Sequence, residues 1–341
     1  MLRTLKKITG CTAVLLGMCL VSGDAANGQL FQAEKPDLGP QLADEQVTQM
    51  QLGMVVQAKT ACRGLLGTIP VPLDWPEQQV RLVSEDVSPG VNISYRQITP
   101  TVKQMLVSIP YLPTGMEAKA LVTVELTRHT MLPPDDPSKL QVPKRLSMDL
   151  RKYIGSSPGI NPRHNRIRTI SRQITRDIDN DYEQIKAIYE WVRENVEYVN
   201  GPFKGDVAAL EDGEGDCEEL SSLFISLCRA NMIPARTVWV PGHCYPEFYM
   251  EDEHGTGYWL PCQAAGGYAF GGIPEYRPIL QKGDNFKVPE RPRDVQRYVA
   301  EFLTGKGGRP SVEFIRDILG YDEAGRGLSS NTNNSPFSQT Q

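Results

Sequence analysis

The chain has 341 residues, 40% of them apolar, enough for two cored domains with flanking segments. Its 36 Lys and Arg against 41 Asp and Glu give a net charge of −5. There is no basic stripe, which argues against a nucleic-acid partner, while 26 prolines and 30 glycines predict loop-rich connections.

In chain order, the first stretch reads as a targeting segment. "MLRTLKK" is a positive n-region, and "ITGCTAVLLGMCLVSG" is an apolar h-region too short to span a bilayer. "AANGQ" supplies small residues for cleavage after Gly28 or Ala25. Cys19 follows Met18, not the small residue that a lipoprotein signal places there. Residues 1–28 are therefore expected to be a signal peptide, and the mature chain an exported one, periplasmic or secreted, with no membrane span. Removing them takes away Arg3, Lys6, Lys7 and Asp24 and leaves a charge of −7. Five cysteines remain, an odd number that implies at least one free thiol outside the cytoplasm.

Residues 29–50 are polar with scattered prolines and read as a linker. From 51 to 145 the pattern is short, β-branched and aromatic runs: "GMVVQA", "QQVRLVSE", "VNISYRQI", "QMLVSIPYL" and "KALVTVELTRH". Turn clusters such as "PVPLDWPE", "VSPG" and "PTGME" separate them. Antiparallel strands at that spacing predict a β-sandwich-like domain.

Residues 146–320 differ. "DYEQIKAIYEWVRENVEYV" sets Ile185, Ile188, Tyr189, Val192 and Val196 on one helical stripe. "GDCEELSSLFISLCRAN" does the same with Leu220, Leu223, Phe224, Leu227 and Cys228. Three strands are predicted next, "RTVWV", "CYPEFYM" and "GYWLPC", with "EDEHGTG" as a turn between the last two. "RDVQRYVAEFL" and "SVEFIRDIL" read as short helices. Residues 321–341 have almost nothing to bury and read as a disordered tail.

Asp216 is a good N-cap, and Glu219 completes a capping box, which puts Cys217 at the first helical position. Unpaired amides and the helix dipole favour an anion there, and a thiolate is one. Its base must be a histidine brought near by the fold. Of the four, His129, His164 and His254 are poorly placed. His243 opens the strand after the cysteine helix and is the best candidate.

The ordered set "GDCEELSSLFISLCRANMIPAR", "GHCYPEFYM" and "YWLPCQ" resembles the transglutaminase-like superfamily of papain-like Cys–His enzymes. The matching positions are Gly215 to Cys217, Arg229 to Arg236, His243 with Glu247, and Trp259 with Pro261. The likeness spans roughly residues 180–290. It implies an α+β transglutaminase-like core behind the antiparallel β-sandwich-like domain, with Cys217 as nucleophile and His243 as acid/base. Where the family carries its third catalytic residue, an aspartate, this chain has Gln263. An amide can fix the imidazole tautomer, although it cannot balance an imidazolium charge.

The resemblance implies acyl transfer at peptide or isopeptide amides through a Cys217 thioester, with a peptide or protein substrate. Hydrolysis is favoured over amine transfer. The rival reading, favoured by Gln263, is a silent module that binds peptide or cell-wall material. No cofactor or metal is expected, since Cys228, Cys244, Cys262 and His243 lack the paired spacing of zinc ligands. Cys244 and Cys262 are expected on neighbouring strands, bridged or packed. Cys62 and Cys228 are expected to fill the core, and Trp259 is a candidate shield for the site.

Overall fold

In the strand Glu117–Leu132, every second residue from Ala118 to Arg128 is buried, the period-two signature of a sheet covered on one face. The computed structural model describes residues 38–321 and 327–330. The expected signal peptide and residues 29–37 of the expected linker lie outside them. Six strands open the described chain: β1 (Gln41–Gln57), β2 (Cys62–Val71), β3 (Gln78–Val87), β4 (Asn92–Thr99), β5 (Val102–Leu112) and β6 (Glu117–Leu132). Residues 41–50, expected as linker, are the first half of β1. They carry too few apolar groups to signal a strand, yet β6 pairs with them from Gln41 onward. β2, which includes two glycines, was likewise absent from the predicted strands.

Four helices and two short strands follow: α1 (Met148–Arg151), α2 (Asn165–Thr175), α3 (Asp181–Asn195), β7 (Glu197–Tyr198), α4 (Asp206–Asp212) and β8 (Glu214–Gly215). Then come α5 (Cys217–Ala230), β9 (Ala235–Val240), β10 (His243–Glu251), β11 (Gly257–Pro261), β12 (Gln281–Lys282) and β13 (Phe286–Val288). β14 (Arg291–Gln296), β15 (Phe302–Gly307), β16 (Ser311–Tyr321) and β17 (Gly327–Ser330) complete the described elements.

Neither segment predicted as a short C-terminal helix is helical: residues 293–303 run from the end of β14 through an irregular stretch into the start of β15, and residues 311–319 lie in β16. β16 pairs with β1, placing Val312 opposite Val56 and Phe314 opposite Met54, and β15 pairs with β2. Short apolar runs satisfy either period, and here the open edges of two existing sheets decide. β17, within the expected disordered tail, pairs with β16. The rest of that tail beyond Tyr321 lies outside the described residues.

The sandwich thus has two layers, β17-β16-β1-β6-β3 and β15-β2-β5-β4. Between them lie Met50, Leu52 and Met54 of β1, Val122 and Leu126 of β6, and Ile69, Met105 and Val107 of β2 and β5. The second core sets α5 against the sheet β11-β10-β9-β12. Helix α5 is buried from Cys217 to Arg229, and α2 and α3 pack on it. Tyr182, Tyr189, Phe224, Phe248 and Phe270 make a run of ring contacts through this core.

Buried charged groups join the sandwich to the second core. Lys282 Nζ lies 2.8 Å from Glu77 and 3.0 Å from Glu247, all three buried. Arg128 of β6 donates to Tyr245 Oη of β10 at 3.2 Å. Among the described residues no helix is long and apolar enough to cross a membrane.

Candidate active site

The N-terminus of α5 is built as its sequence predicts. Asp216 accepts from Glu218 N at 2.7 Å, and Glu219 Oε2 accepts from Asp216 N at 3.1 Å. The capping box is complete, and Cys217 is the first helical residue. Glu219 folds back over Gly215, where an added Cβ would lie 2.4 Å from the Glu219 Cβ. That position admits only glycine while the box is closed. Glu219 Oε1 also accepts from Lys204 N at 2.7 Å, and Glu218 is paired with Arg297. Burial pushes the carboxyls of Asp216 and Glu219 up, which softens the acidic surroundings of the thiol.

Cys217 is 7% exposed, with its sulfur turned to the protein body. Its thiol is lowered to about 4. The hydrogen bond from the Cys244 thiol contributes most, burial opposes it, and the His243 ring adds a hydrogen bond and its charge. Cys244 moves the other way: burial raises it far above the usual thiol range, and the neighbouring Cys217 adds to the rise. Its Sγ lies 3.5 Å from Cys217 O and 3.8 Å from Ser221 Oγ. All five cysteines among the described residues are free, so Cys244 and Cys262 are packed thiols. Cys244 faces the head of α5, a role that its strand position did not signal.

His243 begins β10 opposite Val240, directly after the Pro241–Gly242 turn. Its Nε2 is 2.8 Å from Gln263 Oε1. With that oxygen accepting, Nε2 carries a hydrogen and Nδ1 is the nitrogen left to exchange a proton with the thiol. The structure therefore brings Cys217, His243 and Gln263 into one chain of contacts. The other three histidines stand apart: His129 on β6 beside Ala43 O, His164 before α2, and His254 in the turn closed by Asp252. Arg277, paired with Glu275 at 2.5 Å, donates to Pro241 O at 3.4 Å and braces the turn that delivers His243.

The other motif residues are framework. Arg229 donates to Ala235 O at 2.8 Å and to both oxygens of Asp284, tying the end of α5 to β9 and to the loop after β12. Arg236 and Glu247 are cross-strand partners in a buried ion pair. Trp259 does not shield the thiol. It lies over the Arg236 guanidinium, 3.9 Å from the charge to the ring centroid, and is paired in register with Tyr249. Tyr249 is six residues along β10 from His243, about 20 Å at the usual strand rise.

Residues 168–264 match the transglutaminase-like superfamily. This stretch is a transglutaminase-like core. The match holds Cys217, His243 and Gln263 together and begins at α2, upstream of the expected helix. A solved structure described as a candidate cysteine protease from Cytophaga hutchinsonii is 16% identical and covers 86% of this chain and 97% of its own, with a TM-score of 0.56. The two chains share a fold over that length. A candidate protease from Parabacteroides distasonis is 15% identical over 69% of this chain and 48% of its own, with a TM-score of 0.27. Among curated proteins none matches.

Proposed function

We propose that the transglutaminase-like core is a cysteine peptidase or amidase that breaks peptide or isopeptide bonds by acyl transfer. One observation carries this reading: the His243 ring that bonds the Cys217 thiol at the head of α5 has its far nitrogen held by Gln263 Oε1 at 2.8 Å. In the proposed reaction, the Cys217 thiolate adds to the amide carbonyl, and the backbone N–H at the head of α5 receives the developing oxyanion. His243 gives its Nδ1 proton to the departing amine, leaving an acyl group on sulfur. Water, losing a proton to Nδ1, adds to the thioester and releases the acid and the thiolate.

Gln263 keeps the ring oriented through both steps, the task that an amide can perform without a negative charge. The intact contact to Nε2 favours an active site over the silent binding module. The reading includes export, which rests on the n-region and h-region of residues 1–28. A native N-terminus at residue 26 or 29, read by Edman sequencing of the exported chain, supports it; an intact Met1 opposes it.

The test is a panel of peptide, isopeptide and peptidoglycan amides, assayed with wild type and Cys217→Ala. Turnover of at least one amide class, abolished in the variant, is expected. Binding of a panel member without turnover by wild type would support the silent module instead.

A further inference from the structure

Gln263 stands at the head of a loop poorly equipped to hold its own shape. "QAAGGYAFGG", residues 263–272, contains four glycines, and Gly266 sits at φ +107, a conformation strained for any side chain. Glutamine is also one methylene longer than the aspartate of the family pattern. For its amide to stay 2.8 Å from His243 Nε2, the main chain beneath it must be fixed.

One guanidinium does this. Arg193 of α3 donates from Nη1 to Gln263 O at 2.8 Å and to Ala264 O at 3.4 Å, and from Nη2 to Gly266 O at 2.9 Å. It also lies over the rings of Tyr189 and Tyr268, at 5.4 and 5.9 Å. Tyr189, one helical turn before Arg193, accepts from Ala269 N at 3.1 Å through its hydroxyl. Gln263 N closes the loop on Ala269 O at 2.8 Å. A planar fork of donors can span carbonyls three residues apart; a lysine ammonium makes only part of that set.

We infer that Arg193 is a positioning residue: by clamping the carbonyls of residues 263, 264 and 266 it fixes the Gln263 amide on His243. The inference rests on the acyl-transfer reading and acts through Gln263 alone. Helix α3 thereby reaches the reaction without touching it.

The test uses the full mature chain and iodoacetamide as the probe of Cys217, with the rate followed against pH and the labelled site read by mass spectrometry. Gln263→Ala is expected to move the midpoint of the labelling profile up by about one unit from about 4, which slows labelling about fivefold at about pH 4. Arg193→Met is expected to slow it comparably, and the double variant no more than Gln263→Ala alone, because both remove one function. Arg193→Lys should restore part of the loss. Arg193→Gln serves as the second variant if methionine fails to fold.

Wild-type labelling in the Arg193 variants overturns the inference, as does a loss that multiplies with that of Gln263→Ala. His243→Ala separates the two ideas. If labelling ignores His243, the acyl-transfer reading falls and takes the inference with it. If labelling depends on His243 and Gln263 but ignores Arg193, only the inference falls.

Discussion

At the head of α5 two thiols meet and titrate in opposite directions. Cys244, buried on β10 and out of reach of solvent, keeps its proton and lends it as a hydrogen bond, so that the charge rests on Cys217. The sign is that of an acid lowered by folding. The stabilisation is complete above the ordinary thiol range and is lost as pH falls through about 4. Alkylation of Cys217 should therefore stay near its plateau rate down to about pH 5, where an ordinary thiol is slowed by about three orders of magnitude. Cys244→Ala removes the leading donor, and its profile should move to higher pH by about one unit or more; an unmoved profile would assign the thiolate to His243 and the helix end alone. The nucleophile and its base were legible in the sequence because a capped helix start and a strand start are local signals. The Cys244 contact was not, since it depends on which face of β10 meets α5.

At the scale of elements, α5 carries the site because its first turn is closed from both ends of the capping box. Asp216→Ala opens the box and frees the Glu218 amide. A loss of about 1 kcal/mol is expected in urea unfolding, as for other N-caps. Labelling of Cys217 should become less uniform, while Glu211→Ala, an exposed change on α4, should alter neither measurement. Helices α3 and α5 were readable from their stripes, Ile185–Ile188–Tyr189–Val192 and Leu220–Leu223–Phe224–Leu227. β15 and β16 were not. "SVEFIRDIL" presents apolar residues compatible with either period, and only the waiting edge of β1, which seats Val312 and Phe314, selects the strand. β1 itself was half hidden, because residues 41–49, Leu42 and Val47 included, stay largely exposed until Met50 reaches the sandwich core.

On the scale of the whole molecule, the sandwich is closed by chain that follows the core, and the two are joined by buried charge. Glu77 is pushed up by burial, yet Lys282 and Arg128 outweigh it and hold the carboxyl below its usual range. That contribution is present above the ordinary carboxylate range and is lost as pH falls through the lowered value. Lys282→Met would leave Glu77 and Glu247 without their shared cation. A loss of about 3–5 kcal/mol is expected in urea unfolding, and a near-neutral result would mean that the pair is solvated. Deletion of residues 302–341 should expose the edges of β1 and β2 and yield aggregated protein; a monomeric, cooperatively unfolding product would show that the first six strands suffice. Neither link could be read in advance. Glu77, Lys282 and Glu247 lie far apart in sequence, and their charges look like ordinary surface until the fold buries them.

The most direct measurement is the labelling of Cys217 by a peptide chloromethyl ketone at about pH 4, where the thiol titrates, in wild type and in His243→Ala, read by mass spectrometry of the digested chain. Wild type is expected to be labelled on Cys217 alone, and the variant to lose at least about four-fifths of that rate, the effect at about pH 4 of a one-unit rise in a thiol that titrates at about 4. Equal rates in the two proteins would contradict a thiolate served by His243.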